Sequence, residues 1–195
     1  IDVTRYVSQA SLGSGSISGT TTATLMAAGV DDTVTVELRT GSGTVLRTFS
    51  PIHWDDTSLT VVLNLAGLTP ETVDVAVVWG DGFETVIEDG LEITGANPGR
   101  IELSGEAPDL ARALRNYTLW VKVRNAGGSD VKAPVIRATS EDGLAMRASP
   151  EDPLKRAPLV FVAARDALPA TTLPPGAEVL IPFEVMPEGN PHDGL

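Results

Sequence analysis

A chain of 195 residues, 42% of them hydrophobic, is long enough for two domains of about 100 residues and too apolar for wholesale disorder. It has no cysteine, which excludes disulfides, thiolate zinc sites and thiol nucleophiles. Its formal net charge of −12 repels nucleic acid and anionic membranes, and no apolar run approaches the roughly 20 residues a membrane-crossing helix needs.

The chain opens Ile1-Asp2-Val3, with neither Met nor a leader pattern, so a processed product or a piece of something longer is expected. With 19 Gly and 14 Pro, it favours short strands joined by turns. The first alternating run predicts a strand burying Val34, Val36 and Leu38, and Gly41–Gly43 after it reads as a hairpin turn. Two further strands follow, burying Leu59, Val61, Leu63 and Leu65, then Val73, Val75 and Val77. Trp79–Phe83 and Glu88–Gly90 read as hairpin turns of the same kind, because Asp-Gly supplies the positive φ such turns need. The pattern breaks after Ile93 at Gly95, Asn97, Pro98 and Gly99. The charge changes there too: residues 1–97 hold three Arg, no Lys and 13 acidic residues, whereas residues 98–195 hold 11 basic and 13 acidic ones. We read a hinge at 95–99 between domains at 1–96 and 97–195, too short for wide swings.

Helix signals are weak; the best, in the second half, is residues 107–117, with Asp109 as cap and Leu110 and Leu114 four apart, one or two turns at most. The next strand buries Tyr117, Leu119, Val121 and Val123 and turns Thr118, Trp120, Lys122 and Arg124 outward. It runs into a polar knot, Asn125-Ala126-Gly127-Gly128-Ser129-Asp130. Asn and Asp bond their own backbone and the two glycines admit tight bends, so the knot reads as a structural turn rather than a ligand loop. Glu141–Gly143 repeats the Glu-Asp-Gly signal. The last strand buries Val179, Ile181, Phe183 and Val185, and a flexible tail follows.

Residues 1–95 resemble the IPT/TIG-like immunoglobulin modules of large bacterial surface proteins. The likeness lies in Val36 and Leu38 on one strand, the run Leu59 to Gly67, and the segment Glu71 to Gly82 before a closing strand. Glu71 stands where a Gly is usual, and Trp79-Gly80 where a polar turn residue is usual. Residues 98–187 resemble a CARDB-like adhesion module. That pattern is carried by Asn125, Gly127 and Asp130 at the bend, and by Leu173, Pro175 and Gly176 turning into the last strand. The resemblance implies an all-β chain of two tandem immunoglobulin-like β-sandwich domains, part of a secreted or cell-surface bacterial protein. It implies spacer, stalk or adhesive work beside neighbouring domains.

Little in the chain points to catalysis. His53 and His192 lack the spacing of a zinc protease, and no G-x-S-x-G elbow is present. The carboxylate pairs Asp31/Asp32, Asp55/Asp56, Glu88/Asp89, Glu141/Asp142 and Glu151/Asp152 all sit in turn-like segments, where acids are common without glycosidase chemistry. We therefore expect no enzyme and no cofactor, with calcium as the one exception. There is no EF-hand loop, but Asp31, Asp32, Asp55 and Asp56 are candidate loop ligands. Trp120 and Trp54 are candidate ligand contacts, because exposed tryptophans stack on sugar rings, although core packing is the commoner fate of Trp. Asn116-Tyr117-Thr118 fits a glycosylation sequon and reads as a chance match. The alternatives to a spacer are a carbohydrate- or ligand-binding accessory module, and a filament protomer. The filament would add strands between copies through residues 1–8 or 179–186.

Overall fold

A computed structural model describes residues 5–8, 13–107, 114–140, 144–166 and 169–187. They form strands and turns, with no helix among them. No helix of the described residues is long and apolar enough to cross a membrane. The chain divides into two compact units: residues 1–100, 125–131 and 174–176 make unit 1, and 101–124, 132–173 and 177–195 make unit 2.

Unit 1 carries β1 (Tyr6–Ser8), β2 (Ser14–Ser16), β3 (Thr20–Ala28), β4 (Thr35–Arg39), β5 (Val45–Phe49), β6 (Pro51–Trp54), β7 (Ser58–Asn64), β8 (Thr72–Val78) and β9 (Glu84–Thr94). They pair as a four-stranded sheet, β1-β3-β7-β6, and a five-stranded sheet, β2-β9-β8-β4-β5. The inward residues of both sheets meet in one hydrophobic cluster. Leu25, Leu59, Val61 and Leu63 come from the first sheet, and Val36, Leu38, Val75, Val77 and Leu91 from the second. The sets read from alternation at 34–38, 59–65 and 73–77 are all buried. Trp79, 2% exposed, joins this core at the end of β8, and its indole N–H donates to the Gly29 carbonyl at 2.6 Å.

Two of the expected turns are hairpin turns. Residues 41–43 link β4 to β5, and residues 79–83 link β8 to β9, with Gly82 at φ 86° and Trp79 N–H donating to Phe83 O at 2.8 Å. Glu88–Gly90 is not a turn. β9 runs straight through it as an 11-residue strand. Val73 pairs with Leu91 but Val75 with Ile87, so β9 bulges opposite Asp74. Asp89 takes the left-handed backbone, φ 49°, and its N–H donates to the Asp74 carboxylate at 2.9 Å. The property that suits Asp-Gly to a turn also suits it to a bulge.

Unit 2 carries β10 (Ile101–Glu106), β11 (Tyr117–Asn125), β12 (Val131–Lys132), β13 (Val135–Ala138), β14 (Ala145–Arg147), β15 (Leu159–Val162), β16 (Thr172–Leu173) and β17 (Glu178–Met186), with the ends of β11 and β12 counted in unit 1. They pair as a four-stranded sheet, β10-β11-β17-β14, and two short ladders, β13-β15 and β12-β16. β11 and β17 are antiparallel, with Leu119 opposite Phe183, Val121 opposite Ile181 and Val123 opposite Val179. These side chains feed two small clusters, one around Val123, Leu173 and Ile181, the other around Met146, Phe183 and Val185. Val121 and Phe161 pack against both, and the rings of Phe161 and Phe183 lie 5.8 Å apart.

Of the expected helix, residues 108–113 lie outside the described residues. Leu114 near its end has φ 57°, which no right-handed helix accommodates. Glu141–Gly143 and His192 also lie outside the described residues. Of the two expected sites of strand addition, β1 is an edge strand, but β17 lies between β11 and β14.

Two substitutions test these cores. Phe183→Ala removes the ring shared by Phe161 and the Met146 cluster and should cost about 3–5 kcal/mol in urea unfolding; an unchanged midpoint would refute the core assignment. Thr21 is buried in the β3–β7 ladder, yet its hydroxyl has no hydrogen-bond partner. Thr21→Val should therefore raise stability by about 1 kcal/mol, read as a higher melting temperature.

Candidate functional site

A buried, interconnected polar group among the described residues is structural. The side chain of Asn125, fully buried at the end of β11, donates from Nδ2 to Ser129 O at 2.8 Å. Its Oδ1 accepts from Gly127 N–H at 3.0 Å and from Arg100 N–H at 3.1 Å. The main chain closes round it: Ala126 N–H donates to Arg100 O at 2.7 Å, Gly128 N–H to Asn97 O at 3.0 Å, and Gly176 N–H to Asn125 O at 2.9 Å. Ser129 Oγ accepts from Gly99 N–H at 2.8 Å. Three stretches of chain, 97–100, 125–131 and 174–176, thus form one plug within unit 1.

The plug is bonded to the strands. Ser16, 0% exposed in β2, donates its N–H to Gly128 O at 2.7 Å; its hydroxyl donates to Gly95 O at 2.9 Å and accepts from Asn97 N–H at 2.8 Å. Asp130 engages the start of β3. Oδ1 accepts Thr22 N–H at 2.9 Å, and Oδ2 accepts the Thr22 and Thr20 hydroxyls at 2.8 and 3.1 Å. Burial pushes the Asp130 carboxyl above its usual value, outweighing the three donors that hold it down. Gly127 has no alternative here, because a Cβ would stand 2.1 Å from the Pro98 carbonyl oxygen.

Of the residues expected to shape this bend, Asn125, Gly127 and Asp130 belong to the plug. Gly176, at φ 75°, follows the half-buried Pro175 and turns the chain toward β17. Ser16, Thr20 and Thr22 were missed. Ser16 lies in a Gly-Ser stretch that reads as linker, and nothing local marks the two threonines.

The acidic candidates are occupied locally. Asp31 Oδ1 accepts the Thr33 hydroxyl at 2.5 Å and the Thr33 N–H at 2.9 Å, and these donors hold its carboxyl below the usual value. Asp55 accepts the N–H and hydroxyl of Thr57, then those of Ser58, with the same effect. Asp32 and Asp56 are exposed neighbours. Among the described residues, no three Asp, Glu or His side chains gather as a metal site requires. Glu88 and Asp89 lie in the β9 bulge, and Asp152 accepts Ser149 N–H at 3.2 Å. His53 is exposed on the edge strand β6 beside Trp54, which is 39% exposed. Trp120 is 41% exposed on β11.

A clamp that sequence reasoning did not foresee closes the β8–β9 turn. The Arg5 guanidinium lies 5.7 Å from the Trp79 ring centroid and 5.6 Å from that of Phe83, and bonds Asp81 at 2.6 and 2.8 Å. Arg5 holds the Asp81 carboxyl below its usual value. Arg39 does the same for Glu84.

The chain matches no protein-family model and no curated protein.

The plug makes a stability prediction with a pH signature. Asp130→Ala strands the Thr22 N–H and should cost about 1–3 kcal/mol, whereas Asp130→Asn keeps an acceptor and should cost less. A buried carboxyl with a raised value favours its neutral form, so its contribution is fully present below 3.8 and is lost as pH rises through the folded value. Asp31, Asp55, Asp81 and Glu84, with lowered values, do the opposite and lose their contribution on acidification. As pH falls from about 7 to 3, wild type should therefore gain stability relative to Asp130→Asn. Parallel melting curves for the two would show that Asp130 is not desolvated.

Proposed function

We propose that this chain is a non-catalytic structural module, a spacer or stalk segment of a large bacterial extracellular or cell-surface protein. It would consist of two immunoglobulin-like β-sandwiches in tandem, and its immediate partners would be neighbouring domains of the parent protein. The observation that carries the reading is the plug. Its hydrogen bonds join residues far apart in the chain: Asp130 to Thr22 spans 108 residues and Asn97 to Ser16 spans 81. The buried amide of Asn125 ties together the stretches 97–100 and 125–131 that carry Asn97 and Asp130, so a chain drawn out by its ends would have to disrupt both sets of bonds to free either stretch. Resistance of this kind suits a module that passes tension along a multi-domain protein. The resemblance of residues 1–95 to IPT/TIG-like modules and of 98–187 to CARDB-like modules supports the same reading.

Forced unfolding reports the barrier to leaving the native state, which is the property a spacer needs. In single-molecule pulling of the full chain by its ends, wild type should resist and Gly127→Ala should unfold at lower force. Ser42→Ala, in the exposed β4–β5 turn, should match wild type. A Gly127→Ala trace identical to wild type, or a wild-type chain that unravels without measurable resistance, would sink the mechanical role.

A further inference from the structure

One sheet face of unit 2 turns away from its core and exposes Trp120 and Leu180. Because Leu119, Val121 and Val123 pack inward, β11 presents Thr118, Trp120, Lys122 and Arg124 on the other side. β17 sets Pro182 opposite Trp120 and Leu180 opposite Lys122, and Leu180 is 56% exposed. An indole, a proline ring and a leucine thus lie together on the wet side of two central strands. Beside them, Glu102, Leu103, Ser104, Lys122 and Arg124 line a half-open groove of about 350 Å³. That is the lower end of the range for small-ligand sites. Every contributing residue stands on a strand, so the surface is set in place by the sheet ladders.

We infer that this face binds a neutral glycan, with Trp120 as the stacking platform and the groove as the adjoining polar subsite. A pyranose ring has an apolar C–H face and a rim of hydroxyls. The indole offers a flat apolar surface to the first, and the groove offers donors and acceptors to the second. The charges select against an ionic ligand. Lys122 pairs with Glu178 at 2.9 Å, and Arg124 reaches the same carboxylate at 3.6 Å. With Glu102 in the lining, two cations face two carboxylates, so a charged ligand gains no net attraction and must compete with ion pairs already formed. Hydroxyls donate to Glu102 or Glu178 and accept from Lys122, Arg124 or Ser104 without displacing charge. Trp54 ends the edge strand β6 next to the Asp55 turn and does not line this groove. The site does not rest on the spacer reading, and its test involves no force.

Native electrophoresis of the full chain through gels cast with hydroxyethylcellulose, galactomannan, mixed-linkage β-glucan or dextran decides the matter, with an alginate gel as the anionic comparison. Migration should be retarded by at least one neutral polysaccharide and not by alginate. Trp120→Ala should weaken the retardation by at least about tenfold, and Glu102→Gln should weaken it less. Trp54→Ala should behave as wild type. Trp120→Phe keeps a ring on the strand and should retain part of the binding, which separates lost stacking from a folding defect. No retardation in any neutral gel, retardation by alginate alone, or binding that survives Trp120→Ala would each overturn the site.

Discussion

The buried side-chain amide of Asn125 governs how the polar part of unit 1 is arranged. An amide removed from water must find partners inside the protein or cost several kcal/mol. Its partners are the N–H groups of Arg100 and Gly127 and the carbonyl of Ser129, none of which is placed by a sheet ladder of its own. The conformations of 97–100 and 125–131 therefore determine each other. The close approach they demand admits no side chain at Gly127, where the Pro98 carbonyl occupies the space. Once the segment is folded this way, Asp130 comes to Thr20 and Thr22, and Gly128 to Ser16. The apolar core of unit 1 supplies non-directional stabilisation. The plug supplies direction, fixing which distant segments lie together.

What the sequence disclosed follows the range of the forces involved. Alternation is a property of a single strand, so the inward sets at 34–38, 59–65, 73–77 and 179–185 could be read without knowing any partner. The outward position of Trp120 came from the same rule. Trp79 extends the inward set Val73, Val75 and Val77 by one step into the turn, so its face followed from alternation; the acceptor that lets its indole N–H be buried, the Gly29 carbonyl 50 residues away, did not. Glu88–Gly90 failed for a related reason. Asp-Gly signals a residue that accepts left-handed backbone, but whether the chain turns there or bulges is set by its pairing with β8.

The knot shows the same division. That Asn125, Gly127 and Asp130 shape a bend was legible, because Asx and Gly chemistry is local. That the bend would be clasped by Ser16, Asn97, Thr20 and Thr22 was not. Those partners are defined only once strands separated by some 100 residues have come together. Ser16 illustrates the limit: a serine among glycines has the composition of a linker, yet it is fully buried and makes two side-chain bonds to backbone groups of 95–97.

The acidity of the first 97 residues reads differently once their three arginines are placed. Arg5 is held by Asp81 across the Trp79 and Phe83 rings, Arg39 by Glu37 and Glu84, and Arg47 donates to the carbonyls of Asn64 and Ala66. Each cation ties together pieces of unit 1, so none is left to balance the surplus of carboxylates. Asp31 and Asp55, at the centre of the calcium expectation, use their oxygens to accept from adjacent Thr and Ser groups. Acidic residues here build turns and leave a repulsive negative surface, which disfavours close approach of a second copy or of any anion. Unit 2 holds a different balance, with Lys122 and Arg124 matched by Glu178 on one sheet face and Arg147 by Glu184. A surface with its charges paired in place and an indole exposed among them has little to offer an ion and much to offer a flat, hydroxylated, uncharged ring.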